Sequence, residues 1–304
     1  MSSFQMHLSG AGGGGAGSRM MPPKQLLTIV IIIFCTLSFI KLLLLTSSSS
    51  SSAGSTSRSS PAWDAVGGGN VTARSALAVK ELALLRSVVA ARAPCRLLVF
   101  GLSPQLLALA KLNSGAGAGA ATAFVTDSTD DADAARRALL SGRGAGAGSG
   151  SADAVAIHRA RYRDAAAEAW PLLRRARGSP ACRRPTGTVR KSGCPLALTS
   201  LPREVLDARW DVVVVDGPSG AAPEEPGRMG TIYTSAALAR AVAGGEAVDV
   251  AVHDVDRTVE RWYAWEYLCQ DNLVAAKGRL WHFRIAAGAG PTDAFCSIGP
   301  VQIL

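Results

Sequence analysis

Short apolar runs alternate with longer amphipathic segments in the C-terminal part of this chain. Two of the runs, Val212–Val215 and Val248–Val252, are rich in β-branched residues, and acidic residues follow each of them. Between them, Arg228–Ala243 has apolar residues at helical spacing. Strands with almost no polar positions are typical of a parallel sheet that is buried on both faces. The pattern therefore predicts a strand–helix–strand unit of such a sheet.

The rest of this region has the same alternation. Further strands are predicted at Arg96–Gly101, Thr122–Asp127, Ala154–His158 and Leu280–Ile285. Further helices are predicted at Ala73–Arg92, Gln105–Leu112, Asp164–Arg177 with a kink at Pro171, and Arg257–Cys269. Two Gly/Ala-rich inserts, residues 114–121 and 141–151, are interpreted as loops, because glycine runs do not hold a helix or a strand. The repeated β-α order predicts an α/β fold with a doubly wound, mainly parallel sheet.

Candidate ligand-binding residues lie where the predicted strands end. Ligands of open α/β sheets bind beyond the carboxyl ends of the strands, and Asp216, His253 and Asp254 fall there. Gly101 ends the first strand and Asp127 the second. At these positions a glycine lets a cofactor approach the backbone, and an acid accepts hydrogen bonds from ribose hydroxyls, in S-adenosylmethionine and dinucleotide enzymes alike. The alternatives are a plain strand-to-helix turn at Gly101 and a helix cap at Asp127.

The first 72 residues have a different organisation. We predict a disordered cytosolic tail at residues 1–25, a transmembrane anchor at 26–45 and a serine-rich stem at 46–72. Arg19 and Lys24 precede the span and no acidic residue does, so the positive-inside rule places the domain at 73–290, with a tail at 291–304, in the lumen of the secretory pathway. The alternative, a cleaved signal peptide, has a shorter apolar region of about 7–15 residues.

Cysteines and charge add further expectations. Cys182 and Cys194 flank a basic loop; in an oxidising lumen they form a disulfide, and the alternative is that both are reduced. The five cysteines outside the apolar span leave at least one thiol unpaired within the chain, and their spacing matches no zinc site. Asn70 begins a glycosylation sequon. The net charge of +9 comes with few aromatics among the basic clusters, which excludes a recognisable nucleic-acid module.

A set of sequence blocks carries a resemblance to a known family. The blocks occur in order at Leu98–Leu102, Cys194–Leu198, Trp210-Asp211, Val215–Pro218, Pro226–Met229, His253–Arg257, Glu266–Cys269 and Leu280–Phe283. From roughly Ala73 to Ile285, the chain resembles the plant polysaccharide-biosynthesis family of the glucuronoxylan 4-O-methyltransferases and the irregular-xylem-fifteen-like proteins. The resemblance implies a single-pass type II Golgi membrane protein of xylan biosynthesis, with a Rossmann-like S-adenosylmethionine methyltransferase fold. Xylan or glucuronoxylan, the Golgi membrane and other xylan-synthesis proteins are the implied partners.

The branch of the family bears on activity. Gly217, where methyltransferase members have alanine, and the segment Cys269–Val274 resemble the irregular-xylem-fifteen-like side, which we favour. His253–Arg257 and Leu280–Phe283 resemble the methyltransferase side. The usual Gly-His-Asp after the first strand is replaced by Ser103-Pro104-Gln105, in the presumed cofactor pocket.

Two hypotheses follow. In one, the protein transfers a methyl group from S-adenosylmethionine to the 4-hydroxyl of glucuronosyl side chains. Asp216 and Asp254 would share a divalent metal ion, His253 would act as base, and Arg228 would pair with the uronate carboxylate.

In the other hypothesis, a non-catalytic or differently acting component of xylan assembly keeps the fold without the cofactor loop. The acidic cluster then reflects local capping and an ion pair with Arg257. If Asp216 and Asp254 face the ligand crevice, replacing either by Asn should change stability by no more than about 1 kcal/mol.

Overall fold

The computed structural model describes a defined subset of the chain. The described residues are 32–34, 36, 76–114, 120–141, 155–184, 189–241, 246–286 and 294–296. Contacts divide the chain into Met1–Arg58, where residues 32–34 and 36 are helical, and Ser59–Leu304. Among the described helices, none has both the length and the apolar character needed to cross a membrane. Most of the predicted anchor, the stem, Asn70 and most of both Gly/Ala inserts lie outside the described residues.

Within the described part of the chain, seven strands form one sheet. They are β1 Arg96–Phe100, β2 Ala121–Thr126, β3 Val155–Arg159, β4 Val212–Val215, β5 Val248–Val252, β6 Leu273–Lys277 and β7 Leu280–Ile285. Their spatial order is β3-β2-β1-β4-β5-β7-β6; the first five are parallel, and β7 runs antiparallel to both β5 and β6. This order confirms the predicted doubly wound, mainly parallel sheet. The order reverses between β1 and β4, which creates a crevice at their carboxyl ends.

Helices cover both faces of the sheet. They are α1 Val79–Arg92, α2 Pro104–Asn113, α3 Thr129–Ser141, α4 Ala169–Gly178, α5 Pro180–Arg183, α6 Arg203–Leu206, α7 Met229–Arg240 and α8 Thr258–Leu268. Short 3-10 turns occupy Ala166–Glu168, Val189–Lys191 and Gln270–Asn272.

The pleat of the central strands divides the interior into two apolar cores. Leu97 and Val99 of β1 pack with α1 and α2 on one face, whereas Leu98 and Phe100 pack with α4, α7 and α8 on the other. All residues of β4 and β5 are buried. Apolar residues therefore occupy most positions of the central strands. The buried exception in β5, Asp249, is paired with His282 and two arginines.

Two sequence-based expectations are corrected by the structure. Pro171 does not kink a helix, because α4 begins only at Ala169 and places the proline in the first turn, where no backbone N–H is required. The edge strand β6 was not predicted. Its sequence Leu-Val-Ala-Ala-Lys has few large apolar residues, and Gly278, at φ +58°, turns the chain directly into β7.

Two disulfides brace the α7–α8 side of the fold. Cys182 and Cys194 are bonded at 2.02 Å, which confirms the predicted pair, and Cys269 is bonded to Cys296, a pair that was not predicted. Among the described cysteines, Cys95 is free and buried, in agreement with the expected odd thiol.

Candidate active site

The carboxyl ends of β1 and β4 approach each other at two glycines. Gly101 has φ +111°, and a Cβ atom on it would lie 2.8 Å from the backbone carbon and oxygen of Asp216. A Cβ atom on Gly217 would lie 2.7 Å from Cα of Gly101. No side chain fits at either position, so packing alone accounts for Gly101. The contact also fixes where Asp216 leaves the sheet.

Asp216 and His253 form a close pair at adjacent strand ends. Nδ1 of His253 lies 2.7 Å from Oδ1 of Asp216, and because an ionised carboxylate can only accept, Nδ1 carries a proton. The His253 side chain is fully buried, whereas 9% of the Asp216 side chain remains exposed. The carboxylate, and not the imidazole, therefore reaches the crevice.

Glu81 of α1 completes this line of side chains. Its Oε2 lies 3.3 Å from Nε2 of His253, and its Oε1 accepts a 2.7 Å hydrogen bond from the backbone N–H of Arg279. Burial acts to raise the pKa of Glu81, but hydrogen bonds from the Arg279 and Ala78 amides and the charge of His253 outweigh it and lower the pKa. With both ring nitrogens engaged, His253 is placed to orient Asp216.

Asp254 lies at the centre of a buried ion-pair network. Its Oδ1 accepts a 2.7 Å hydrogen bond from Arg279, and its Oδ2 lies 2.9 Å from Arg228 and 3.0 Å from Arg257. The two contacts at Oδ2 have ion-pair distances without hydrogen-bond angles. Only 1% of the side chain is exposed. The expectation that Asp254 faces the crevice is therefore wrong, and the expected ion pair with Arg257 is confirmed.

Arg228, just before α7, is fully engaged within the protein. It donates to the carbonyl oxygens of Pro218 at 2.8 Å and His253 at 2.9 Å, and its Nη2 reaches Asp254 and, at 3.4 Å, Asp216. Only 4% of its side chain is exposed. Arg228 therefore holds the ends of β4 and β5 together, and the geometry does not favour its predicted contact with a uronate.

The acidic cluster does not fit a divalent metal ion. Oxygen or nitrogen atoms of Asp216, His253 and Asp254 lie within 4.8 Å of one another, as a metal site requires. However, both oxygens of Asp254 lie within 3.0 Å of guanidinium nitrogens, which already neutralise the carboxylate and would repel a cation.

The end of β2 presents an acidic side chain at the surface of the protein. Asp127 is exposed, and it is not the cap of α3, because the Ser128 side chain accepts the hydrogen bond from the Asp131 amide. Burial of its carboxyl group by the surrounding loops raises the pKa of Asp127, although the residue as a whole is exposed, and the charge of Asp131 adds to this. The capping alternative is thus excluded, and the carboxyl group remains available to a ligand.

Two side chains of the loop after β1 make hydrogen bonds within the protein. Ser103 caps α2 by accepting a hydrogen bond from the Leu106 amide, and the Gln105 side chain bonds both the N–H and the carbonyl oxygen of Leu77. The residues that replace the usual Gly-His-Asp thus stabilise the protein locally.

Comparisons with known proteins place the chain in a family. Residues 80–283 match the family model described as IRX15/IRX15L/GXM. The chain belongs to this family. Its known members include both glucuronoxylan 4-O-methyltransferases and irregular-xylem proteins, so the recognition made from the sequence blocks is confirmed.

Three relatives from Arabidopsis thaliana illustrate its range. Arabinogalactan O-methyltransferase 2 is 37% identical over 71% of this chain and 71% of its own length. Glucuronoxylan 4-O-methyltransferase 1 is 32% identical over 68% and 67%, and Protein IRREGULAR XYLEM 15 is 41% identical over 45% and 43%. A solved structure, the O-methyltransferase TomG from Streptomyces achromogenes, covers 70% of this chain and 82% of its own at 14% identity and a TM-score of 0.39, too low to support a functional argument.

Proposed function

We propose that this protein is an S-adenosylmethionine-dependent O-methyltransferase of plant cell-wall polysaccharide biosynthesis. The proposal rests on one observation. At the carboxyl edge of the sheet, some side chains are paired within the protein, whereas other carboxylates are accessible to a ligand. The Asp254 side chain is 1% exposed and held by three arginines, whereas Asp127 is exposed and 9% of the Asp216 side chain is accessible. Open carboxylates on both sides of the β1–β4 switch point match a cofactor on one side and an acceptor hydroxyl on the other.

The chain's own residues fit the cofactor. Asp127 would accept hydrogen bonds from the ribose, and the buried hydroxyl of Tyr162, which has no partner among the described residues, offers a further contact. When bound, S-adenosylmethionine supplies an electrophilic methyl group.

Asp216 is the residue we assign to the acceptor. Its exposed edge would orient the acceptor hydroxyl and accept its hydrogen bond, while His253 and Arg228 hold the carboxylate in place. In this proposal His253 is a positioning residue and not the base. The names of the relatives suggest two acceptors, glucuronoxylan and arabinogalactan.

Methyl transfer by the purified full-length protein tests the proposal. We expect labelled methyl groups from S-adenosylmethionine to appear on glucuronoxylan or arabinogalactan. Asp216→Asn should lower the rate by about 100-fold, the usual scale for a group that handles a proton. Asp256→Asn, at an exposed acid two positions beyond Asp254, is the matched control and should retain the wild-type rate. No transfer to either polysaccharide by the wild type would refute the proposal.

A second candidate function is supported by the loop after β1. The internal bonds of Ser103 and Gln105 favour a non-catalytic component of xylan assembly, our preferred interpretation of the sequence blocks. In that case Asp216→Asn would restore xylan in a plant that lacks the protein as well as the wild type does. The methyltransferase proposal expects that variant to fail.

We further propose that the domain lies in the Golgi lumen behind the anchor predicted at residues 26–45. The two disulfides support this proposal, because disulfides persist in oxidising compartments such as the secretory pathway. Protease added to intact Golgi vesicles should then remove only the N-terminal tail. Digestion of the domain without detergent would contradict the luminal placement.

A further inference from the structure

The hydroxyl group of Tyr162 is buried without a hydrogen-bond partner. Three buried side-chain polar atoms in the described ranges lack one, and the other two, Nε of Arg190 and Oδ2 of Asp254, belong to ion pairs. Within those ranges, the hydroxyl group of Tyr162 takes part in no ion pair that would compensate for the missing hydrogen bond. A buried polar atom left unpaired is destabilising and rare in native proteins, so the unpaired hydroxyl of Tyr162 needs an explanation.

The position of Tyr162 associates it with the β2 side of the crevice. In the β2–β3 register Thr126 is opposite Arg159, and the Ala160 amide donates to the Thr126 carbonyl oxygen. Asp127 and Tyr162 therefore lie on neighbouring chain segments, which follow β2 and β3 at the same edge of the sheet.

The chemistry of the hydroxyl makes it a donor. Burial raises the pKa of Tyr162, and the charge of Asp127 raises it further, so the phenol keeps its proton. A donor at Tyr162 beside an acceptor at Asp127 complements a nucleoside, which carries ribose hydroxyls and base nitrogens.

We propose that the Tyr162 hydroxyl donates a hydrogen bond to the nucleoside part of bound S-adenosylmethionine. This inference rests on the proposed function. It assigns the buried hydroxyl to the cofactor and not to the polysaccharide, because Tyr162 lies beside the β2 end and Asp216 lies at the β4 end. The unpaired hydroxyl of the free protein is then satisfied on binding.

Tyr162→Phe separates this role from a structural one. Binding of S-adenosylhomocysteine to the full-length protein is measured by calorimetry, and thermal unfolding is measured without ligand. The variant should bind about three- to tenfold more weakly, the scale of one hydrogen bond. Its unfolding temperature without ligand should be unchanged or higher, because the variant lacks the unpaired hydroxyl.

Tyr263→Phe is the matched control, since the Tyr263 hydroxyl donates a 2.7 Å hydrogen bond to the Ala169 carbonyl oxygen. This control should unfold at a lower temperature and keep its affinity. Equal affinity of Tyr162→Phe and wild type would overturn the inference and leave the proposed function standing. So would a Tyr162→Phe variant that loses affinity and thermal stability together. Wild-type protein that does not bind S-adenosylhomocysteine would overturn both.

Discussion

Replacement of Asp254 by asparagine tests whether the acidic cluster stabilises the fold. Asparagine keeps the volume of the side chain and removes its charge. It also tolerates the left-handed backbone of this position, where φ is +60°, better than most residues do. Any loss of stability would therefore report the ion pairs and not backbone strain.

The magnitude follows from the exposure of the three arginines. Removing one partner of a buried ion pair costs about 3–5 kcal/mol when the remaining charge cannot reach water. Arg279 and Arg257 are 23% and 30% exposed and can be rehydrated. Arg228, at 4%, is buried and keeps the weaker 3.4 Å contact with Asp216 and two backbone carbonyl oxygens. We therefore expect Asp254→Asn to lower the free energy of unfolding by roughly 2–4 kcal/mol.

Urea titration at neutral pH measures this change as a shift of the midpoint at constant slope. Asp256→Asn is again the control, because Asp256 is exposed, and it should change the free energy by less than about 0.5 kcal/mol. A loss below about 1 kcal/mol in Asp254→Asn would refute the argument and restore the original expectation that this carboxylate is free to serve a ligand.

Three other properties can be predicted. Burial alone would raise the pKa of Asp249, but hydrogen bonds from His282 and two arginines lower it to about 2. Its stabilising contribution should therefore be complete above the unfolded pKa of about 3.9 and be lost as the pH falls toward 2. A wild-type decrease of about 2 kcal/mol across that range, measured by urea titration, should be missing in Asp249→Asn. Replacing Cys182 and Cys194 together by serine should cost roughly 2–4 kcal/mol of unfolding free energy, because their disulfide closes a loop with a sequence separation of 12. Chelation of divalent metals should change neither methyl transfer nor the unfolding midpoint, and a drop in either would favour a metal at the acidic cluster.

The sequence predicted the central sheet better than its edge. The ranges Val212–Val215, Val248–Val252 and Leu280–Ile285 agree with β4, β5 and β7 to the residue, because most positions of these largely buried strands are apolar. As an edge strand, β6 needs apolar residues on one face only. In the five residues Leu273–Lys277, the resulting hydrophobic pattern is too short to distinguish a strand from a loop.

The candidate site was predicted in part. Parallel strand ends meet at one edge, so the proximity of Asp216, His253 and Asp254 followed from the order of elements. Glu81 was not predicted as a site residue, because it lies 172 residues before His253 in the sequence. An acidic residue in the first turn of a helix, as in α1, is also common without any functional role. Sequence spacing also could not show that Arg228 points into the protein, because that depends on where the backbone carbonyls of Pro218 and His253 lie.

The side chains at the carboxyl edge of the sheet differ in what they say about the two hypotheses, a methyltransferase and a non-catalytic component. The network around Asp254 stabilises the ends of β4 and β5 whether or not the protein is an enzyme, so its presence favours neither. Asp127 and Tyr162 differ in this respect, because Asp127 is exposed and does not cap α3, and the buried hydroxyl of Tyr162 has no hydrogen-bond partner among the described residues. A protein without a ligand at this edge gains stability by replacing a buried unpaired hydroxyl with an apolar group. The unpaired hydroxyl of Tyr162 therefore argues for a bound ligand more directly than the acidic cluster does.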